Sequence, residues 1–392
     1  MKLIPTALIL LTGIYGSPRE IMAADSGGQS ADQIKMAFIS HYAELLRAEY
    51  ADSLELTRKM QASIETFLKN PSPANLAAAK QAWIDCREPY MQSEVGRFYD
   101  GPIDGIEGYV NAWPIDENYL DYTVAAPGAG IINQVAAFPQ ISRDVIVGAN
   151  EKEGEKTVST GFHAIEYLLW GQDLYADSPG RRPCTDYVDS DAGPGLHAAR
   201  RREYLHLLAE LLVEQLNVIN IQWEPNQPNY RARFLSLPPD AALAKLFDGL
   251  GNLSGSELTG ERILVPYTTK SQENEHDCFS DTTHRDLVRN ELGIQDICLG
   301  RYKRTNGEVI EGTGLIALLE KVDPKLAANL QRQLEAGVAA LKAIPPPFDQ
   351  AILGNDFAPG RVAINKSLDA LQAQTASISK AAEVLHIRVN IK

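Results

Sequence analysis

Within Ser159-Thr-Gly-Phe-His-Ala-Ile-Glu-Tyr-Leu-Leu-Trp-Gly-Gln-Asp173, His163 and Glu166 stand three residues apart. On a helix that spacing is close to one turn, so both side chains face the same way. An imidazole and a carboxylate aimed together can ligate a transition metal or satisfy each other inside a core. Ser159 or Thr160 is predicted as the N-cap, and Phe162, Ile165, Leu168 and Leu169 form an apolar stripe. The positive end of such a helix disfavours imidazolium, so His163 is predicted to be neutral and free to bind a metal. His41 and Glu44 repeat the spacing in a stretch rich in Glu, Arg and Lys, which reads as a solvated face. The bare pattern therefore carries little; the context of Gly161, Trp170 and Gly171 sets the second copy apart. From the residues alone His163 is either a hydrogen-bonded core histidine or a ligand.

A metal site needs more donors than this pair supplies. The chain holds no matching Glu-x-x-His partner of the kind used in di-iron bundles, so a mononuclear site completed from another helix or loop is expected. Glu94 and Arg97 lie three apart before Gly101-Pro-Ile-Asp104, and Asp104 and Glu107 fall on a turn. Asp104 is read equally as a turn or helix cap. Arg87 with Glu94 is read as a candidate buried ion pair, and Trp83, Tyr90 and Trp113 as core. Farther on, Glu257 and Glu261 share a helical face, and Glu273, Glu275 and His276 occupy a polar loop that could fold over His163. Glu257 is favoured slightly over His276. Zinc-peptidase patterns need a second histidine, but Tyr167 stands where the inverted motif would place it. Neither a Gly-x-Ser-x-Gly elbow nor a P-loop is present.

The elements that must position these groups read as helices. A long one is predicted from Ala31 to Leu68. Another opens at the Ser72 cap with Pro73 in its first turn and runs towards Phe98, with Pro89 expected to kink or break it. Residues 100–155 read as loop with short helical pieces, and residues 173–195 as loop. A long helix then carries Leu205, Leu208, Leu212, Leu216 and Ile219 on one face. Further helices are expected near 240–250, 255–265, 282–292, 312–320, 323–343 and 361–387, with few strand signals. The fold class is all-α: two packed helical bundles with long loops, over residues 25–225 and 240–392, split at the Pro225 to Pro239 stretch. A weak echo between Ser159…Glu166 and Ser254…Glu261 suggests a duplication in which the histidine is not repeated.

Residues 1–24 have the charge, apolar run and small residues of a signal peptide. Its removal takes Lys2, Arg19 and Glu20 and moves the net charge from −14 to −15. That acidity argues against nucleic acid as a partner. Four cysteines, Cys86, Cys184, Cys278 and Cys298, permit disulfides in an exported chain. Of the three pairings, Cys278–Cys298 with Cys86–Cys184 is preferred, with free buried thiols as the alternative.

The segment Gly161-Phe-His-Ala-Ile-Glu-Tyr-Leu-Leu-Trp-Gly-Gln-Asp173 resembles the Gly-x-His-x-x-Glu signature of imelysin-like proteins. Three further blocks do so in the same order: Trp83–Tyr90 with Arg97–Asp104, Gly255–Arg262, and Ser271–Asp281. Within that family the resemblance is to the iron-regulated protein A and insulin-cleaving metalloproteinase-like group. It implies an exported, all-helical protein of the periplasm, with a position peripheral to the outer membrane as a further option. The expected cofactor is a metal ion, iron first and zinc as the alternative, with His163 and Glu166 as ligands. Glu94, Arg97, Asp104, Glu257 and His276 are the additional ligands or supporting residues. The expected function is binding iron or an iron-bearing small ligand during uptake, with an envelope transport partner. The alternatives are a secreted zinc metallopeptidase, for which the sequence gives weak support, and a metal-free envelope interaction protein.

Overall fold

A computed structural model describes residues 30–391, so the predicted signal peptide lies outside the described residues. The chain begins with α1 (Ala31–Lys69), closed at its start by a reciprocal capping box between Ser30 and Gln33. Helix α2 (Pro73–Ser93) follows, with Ser72 Oγ accepting from the Asn75 amide. Pro89 lies inside α2 and the helix runs through it, so of the two expected outcomes, a kink or a break, the break does not occur. Burial of α2 against α1 and a later helix outweighs the one lost backbone bond. Short helices α3 (Glu107–Val110), α4 (Glu117–Leu120), α5 (Gly130–Asn133) and α6 (Arg143–Ala149) lead to α7 (Gly161–Trp170). Then come α8 (Ala198–Trp223), α9 (Tyr230–Leu235) and α10 (Pro239–Asn252).

The segment Leu253–Leu264, expected as an α-helix, is π-helical. It is followed by α11 (Val265–Thr269), α12 (Thr283–Leu299) and a small antiparallel hairpin, β1 (Arg301–Lys303) with β2 (Val309–Glu311). The chain ends with α13 (Leu315–Val322), α14 (Pro324–Lys342), α15 (Phe348–Ala351) and α16 (Pro359–Val384). The fold is all-α but for that hairpin. Helix α1 lies along α2 and α8, with α7 packed on α2 and α8. Helix α14 pairs with α16 and α12, and the π-helix packs on α10, α12 and α16. Contact of α12 with α2 joins the two sets, and the candidate site forms beside that seam.

The preferred disulfide pairing is not present: all four cysteines are free thiols. Cys86 is buried on α2, its Sγ directed at the Trp83 carbonyl and beside Met60. Cys278 lies near Glu166 and Cys298 near Glu291, each buried in its own surroundings.

Glu291 of α12 is buried between helices. Its Oε2 accepts from Gln374 Nε2 at 2.9 Å, while Oε1 has no partner. Gly337 of α14 presses on it so closely that a Cβ there would stand 2.9 Å from Oε1. Burial pushes the Glu291 carboxyl up to about 8. An acid whose folded pKa exceeds its unfolded value favours folding only while protonated. Stability from this group is therefore full at acid pH and is lost as pH rises from about 4.3 towards 8. Glu291→Gln should match the wild type in Tm near pH 5 and exceed it at pH 8.5 by roughly 2–6 °C in calorimetry. An identical pH dependence in both proteins would show that this carboxylate ionises without cost.

Candidate metal centre

His163 sits in the first turn of α7, whose ten residues are all buried, so the predicted apolar stripe is in fact apolar packing all round. The helix enters through Gly161 at φ +83°, where an added Cβ would stand 2.5 Å from the Val110 carbonyl oxygen. Thr160 holds the N-cap position but caps nothing. Its hydroxyl donates to Asn150 Oδ1, which also accepts from the Ser159 and Thr160 amides, and Ser159 Oγ donates to the Ile146 carbonyl. The α7 start is thus fastened to α6 and the turn after it, not to its own side chains.

Glu166 Oε2 lies 3.1 Å from His163 Nδ1, and Oε1 accepts from the Ser280 amide at 2.9 Å. The other ring nitrogen, Nε2, is buried without a partner. His276 faces His163 with ring centroids 4.7 Å apart, and Trp113 covers His163 at 4.8 Å. His276 Nδ1 lies 2.9 Å from Asp286 Oδ2, while its Nε2 has only Asn111 Nδ2 at 3.4 Å. Asp277 Oδ2 accepts from Thr282 Oγ1; Oδ1 has no hydrogen-bond donor, although Arg87 Nη2 stands 3.2 Å away. One donor atom each from His163, His276 and Asp277 lies within 4.8 Å of the others, and these are fully buried residues.

The charges follow from this burial. Loss of water, then Arg87 and the neighbouring His276, hold His163 well below its usual pKa, so it is neutral. Burial and Arg262 bring His276 down to about 4. Burial raises Glu166 and Asp277, with Arg87 opposing. Asp286 is different: burial works against its charge, but Arg87 and His276 overcome this and hold it ionised. Two neutral imidazoles and a carboxylate oxygen without a donor make a suitable set for a divalent transition metal.

Beside this cluster is a cavity of about 460 Å³. His276, Asn111 and Trp113 line its inner wall, and the π-helix supplies Glu257, Glu261 and Arg262. In the π-helix Arg262 reaches back to Glu257, five residues earlier, at 3.0 Å. Arg262 also pairs with Glu94 at 2.5 Å, and Arg97 with Glu94 at 2.9 Å and Glu107 at 3.3 Å. Burial opposes ionisation of Glu94, yet Arg262 and Arg97 pull it down to about 2.

The imelysin family model matches residues 46–378, most of the chain. The chain belongs to the imelysin family. Iron-regulated protein A of Synechococcus elongatus is 26% identical over 328 residues, which is 81% of this imelysin and 75% of that protein. A crystal structure from Parabacteroides distasonis, titled as an iron-regulated protein A precursor, superposes with a TM-score of 0.72 at 20% identity. It covers 92% of this chain and 98% of its own. An imelysin-like protein from Psychrobacter arcticum superposes at 0.64 with 16% identity, covering 93% and 98%. At these identities the two structures establish the shared fold.

This imelysin brings together some predicted residues and separates others. His163, Glu166 and His276 meet in one cluster. Glu94, Arg97 and Glu257 form the neighbouring charge network along the cavity, so Glu257 lies apart from the cluster that holds His276. Asp104 is not in the cluster: its carboxylate accepts from the Phe98, Tyr99 and Gly101 amides and closes a turn. Arg87 does not pair with Glu94, because its guanidinium is taken by Asp286 at 2.5 Å and Asn111 at 2.7 Å. Trp113 is a cavity wall, whereas Trp83 and Tyr90 are core as expected. His41 is half-buried and bonded to the Gly300 carbonyl, so its helix face is not simply solvated. Asp277 and Asp286 are not among the residues singled out from sequence; adjacency to His276 within the family-like Ser271–Asp281 block was the available signal for Asp277, and no spacing pointed to Asp286.

Gly161→Ala forces a methyl into the Val110 carbonyl at a positive φ. The expected loss is at least about 2 kcal/mol of stability. Denaturant unfolding checks it, and a variant as stable as the wild type would mean that this entry to α7 is not fixed.

Proposed function

We propose that this imelysin binds a single iron ion through His163, His276 and Asp277, as part of iron handling in the cell envelope. The observation that carries the reading is the buried cluster in which one donor atom each from His163, His276 and Asp277 lies within 4.8 Å of the others, together with a His163 Nε2 that has no hydrogen-bond partner. Buried nitrogen lone pairs are ordinarily satisfied, so an orphan at such a place suits a ligand. Each histidine has a carboxylate at Nδ1, Glu166 for His163 and Asp286 for His276. Such a carboxylate fixes the ring and its tautomer, leaving the other nitrogen for the metal. Two histidines and one carboxylate with open positions form a set typical of non-haem ferrous iron. Glu166, expected as a ligand, is better used as the group that orients His163, since both its oxygens are engaged. The metal, when bound, would supply a Lewis-acidic centre at the inner end of the cavity.

The name of the Synechococcus relative ties that protein to iron through its regulation, and the description of the Parabacteroides protein as a precursor accords with the signal-like residues 1–24. Among the described residues no helix is long and apolar enough to cross a membrane. Zinc is the rival metal, because two histidines and a carboxylate also make a catalytic zinc set.

Anaerobic titration of the purified protein with Fe(II), and separately with Zn(II), tests the site. One equivalent of Fe(II) should bind to the wild type, with binding abolished in His163→Ala/His276→Ala at unchanged helical circular dichroism. Glu166→Gln should weaken affinity by roughly 10–100-fold. Undiminished binding by the double variant would refute the ligand assignment. Tight zinc binding with chelator-sensitive cleavage of an unfolded substrate would transfer the site to the peptidase reading.

A further inference from the structure

The cavity over His276 bears on the form in which the metal arrives, an inference that rests on the iron-binding reading above. At about 460 Å³ its size does not decide the matter. A metal ion with six waters needs about 180 Å³, at about 30 Å³ per water, while pockets of about 300–1,000 Å³ also take chelate-sized organic ligands. Charge does decide it.

The two arginines on the wall are already committed. Arg97 is shared among Glu94, Glu107 and Glu257, and Arg262 between Glu94 and Glu257. Their positive charge is therefore answered within the wall and is not free to hold an incoming carboxylate or catecholate. The outer rim is formed by Glu151, Glu155 and Glu261, all exposed and all lining the cavity. Among the described residues none of these three is in an ion pair. Lys152 and Lys156 belong to the same turn as two of them but do not line the cavity.

A concave, low-dielectric site bordered by one sign of charge focuses the field and raises the local concentration of oppositely charged solutes. We infer that the cavity is an entry vestibule for the hydrated divalent cation, and that the acidic rim formed by Glu151, Glu155 and Glu261 turns anionic iron chelates away. The independent support for a path is at its inner end. His276 is common to the cavity wall and the donor cluster, and the buried, unpartnered His163 Nε2 lies in that cluster.

The test is stopped-flow binding of Fe(II), and of Co(II) as an air-stable probe, followed by quenching of tryptophan fluorescence. Trp113 lies against His163 and reports the event. In Glu151→Gln/Glu155→Gln/Glu261→Gln the association rate at low salt should fall roughly tenfold or more, with a flatter dependence on ionic strength and an unchanged dissociation rate. Ferric citrate should not bind the wild type at concentrations that saturate with Fe(II). An unchanged association rate and salt slope in the triple variant would overturn the inference, as would ferric citrate binding as tightly as the aquo ion. Failure of the wild type to bind either free metal would instead remove the iron-binding reading itself, so the two failures are distinct.

Discussion

The buried guanidinium of Arg87 organises the centre of this molecule. It projects from α2 to Asn111, which precedes Trp113, to His276 and Asp277 of the loop before α12, and to Asp286 in the first turn of α12. Three stretches distant in sequence, α2, the segment around Asn111, and the loop leading into α12, are thereby drawn to one point. The loop has little regular structure of its own; besides local ties such as the Asp277 amide to Thr283 Oγ1, the Ser280 amide donates to Glu166 Oε1 and the Phe279 carbonyl accepts from the Gly180 amide. A buried ion pair of this kind adds little net stability over an apolar substitute. Removing one partner nevertheless strands the other charge, at about 3–5 kcal/mol. Arg87 therefore specifies where the loop lies more than it stabilises the fold.

Around that charge the polar groups divide by what surrounds them. Asp286 is kept anionic by Arg87, and Glu94 by Arg262 and Arg97. The two histidines, desolvated beside arginines, are kept neutral. The π-helical segment has its place in this division, because Glu257, Glu261 and Arg262 all reach the cavity from it. Helix segments bonded i→i+5 are uncommon and recur at functional sites.

The helices were legible because burial on one face imposes a period near 3.6 residues. The faces of α8 and α16, carrying Leu205, Leu208, Leu212 and Leu216, and Ile364, Leu368 and Leu371, lie inward as their spacing implies. The Ser72–Pro73 start of α2 was equally plain, since capping is a local interaction. What escaped was set by tertiary contact. Pro89 is tolerated because α2 is held from both sides. The widened turn at Leu253–Leu264 leaves no mark in the order of residues. The site was half visible: His163 and Glu166 share one turn, and His276 stood out as a histidine in a polar loop. Asp277, Asp286 and the true partner of Arg87 arise from the meeting of α2 with α12, which no local spacing encodes. Asp104 takes the turn-closing role of its two readings, which sequence alone left open because a carboxylate in a turn looks the same whether it faces a ligand or its own backbone amides.

The four cysteines have a consequence for how such a chain is made. None is paired, and Cys86 and Cys298 are both buried, the Cys86 thiol pushed up to about 12 by burial. Thiols held that far from ionisation are poor nucleophiles. Reaching the native state thus involves no oxidative step, and the same structure is accessible on either side of a membrane that separates reducing from oxidising compartments.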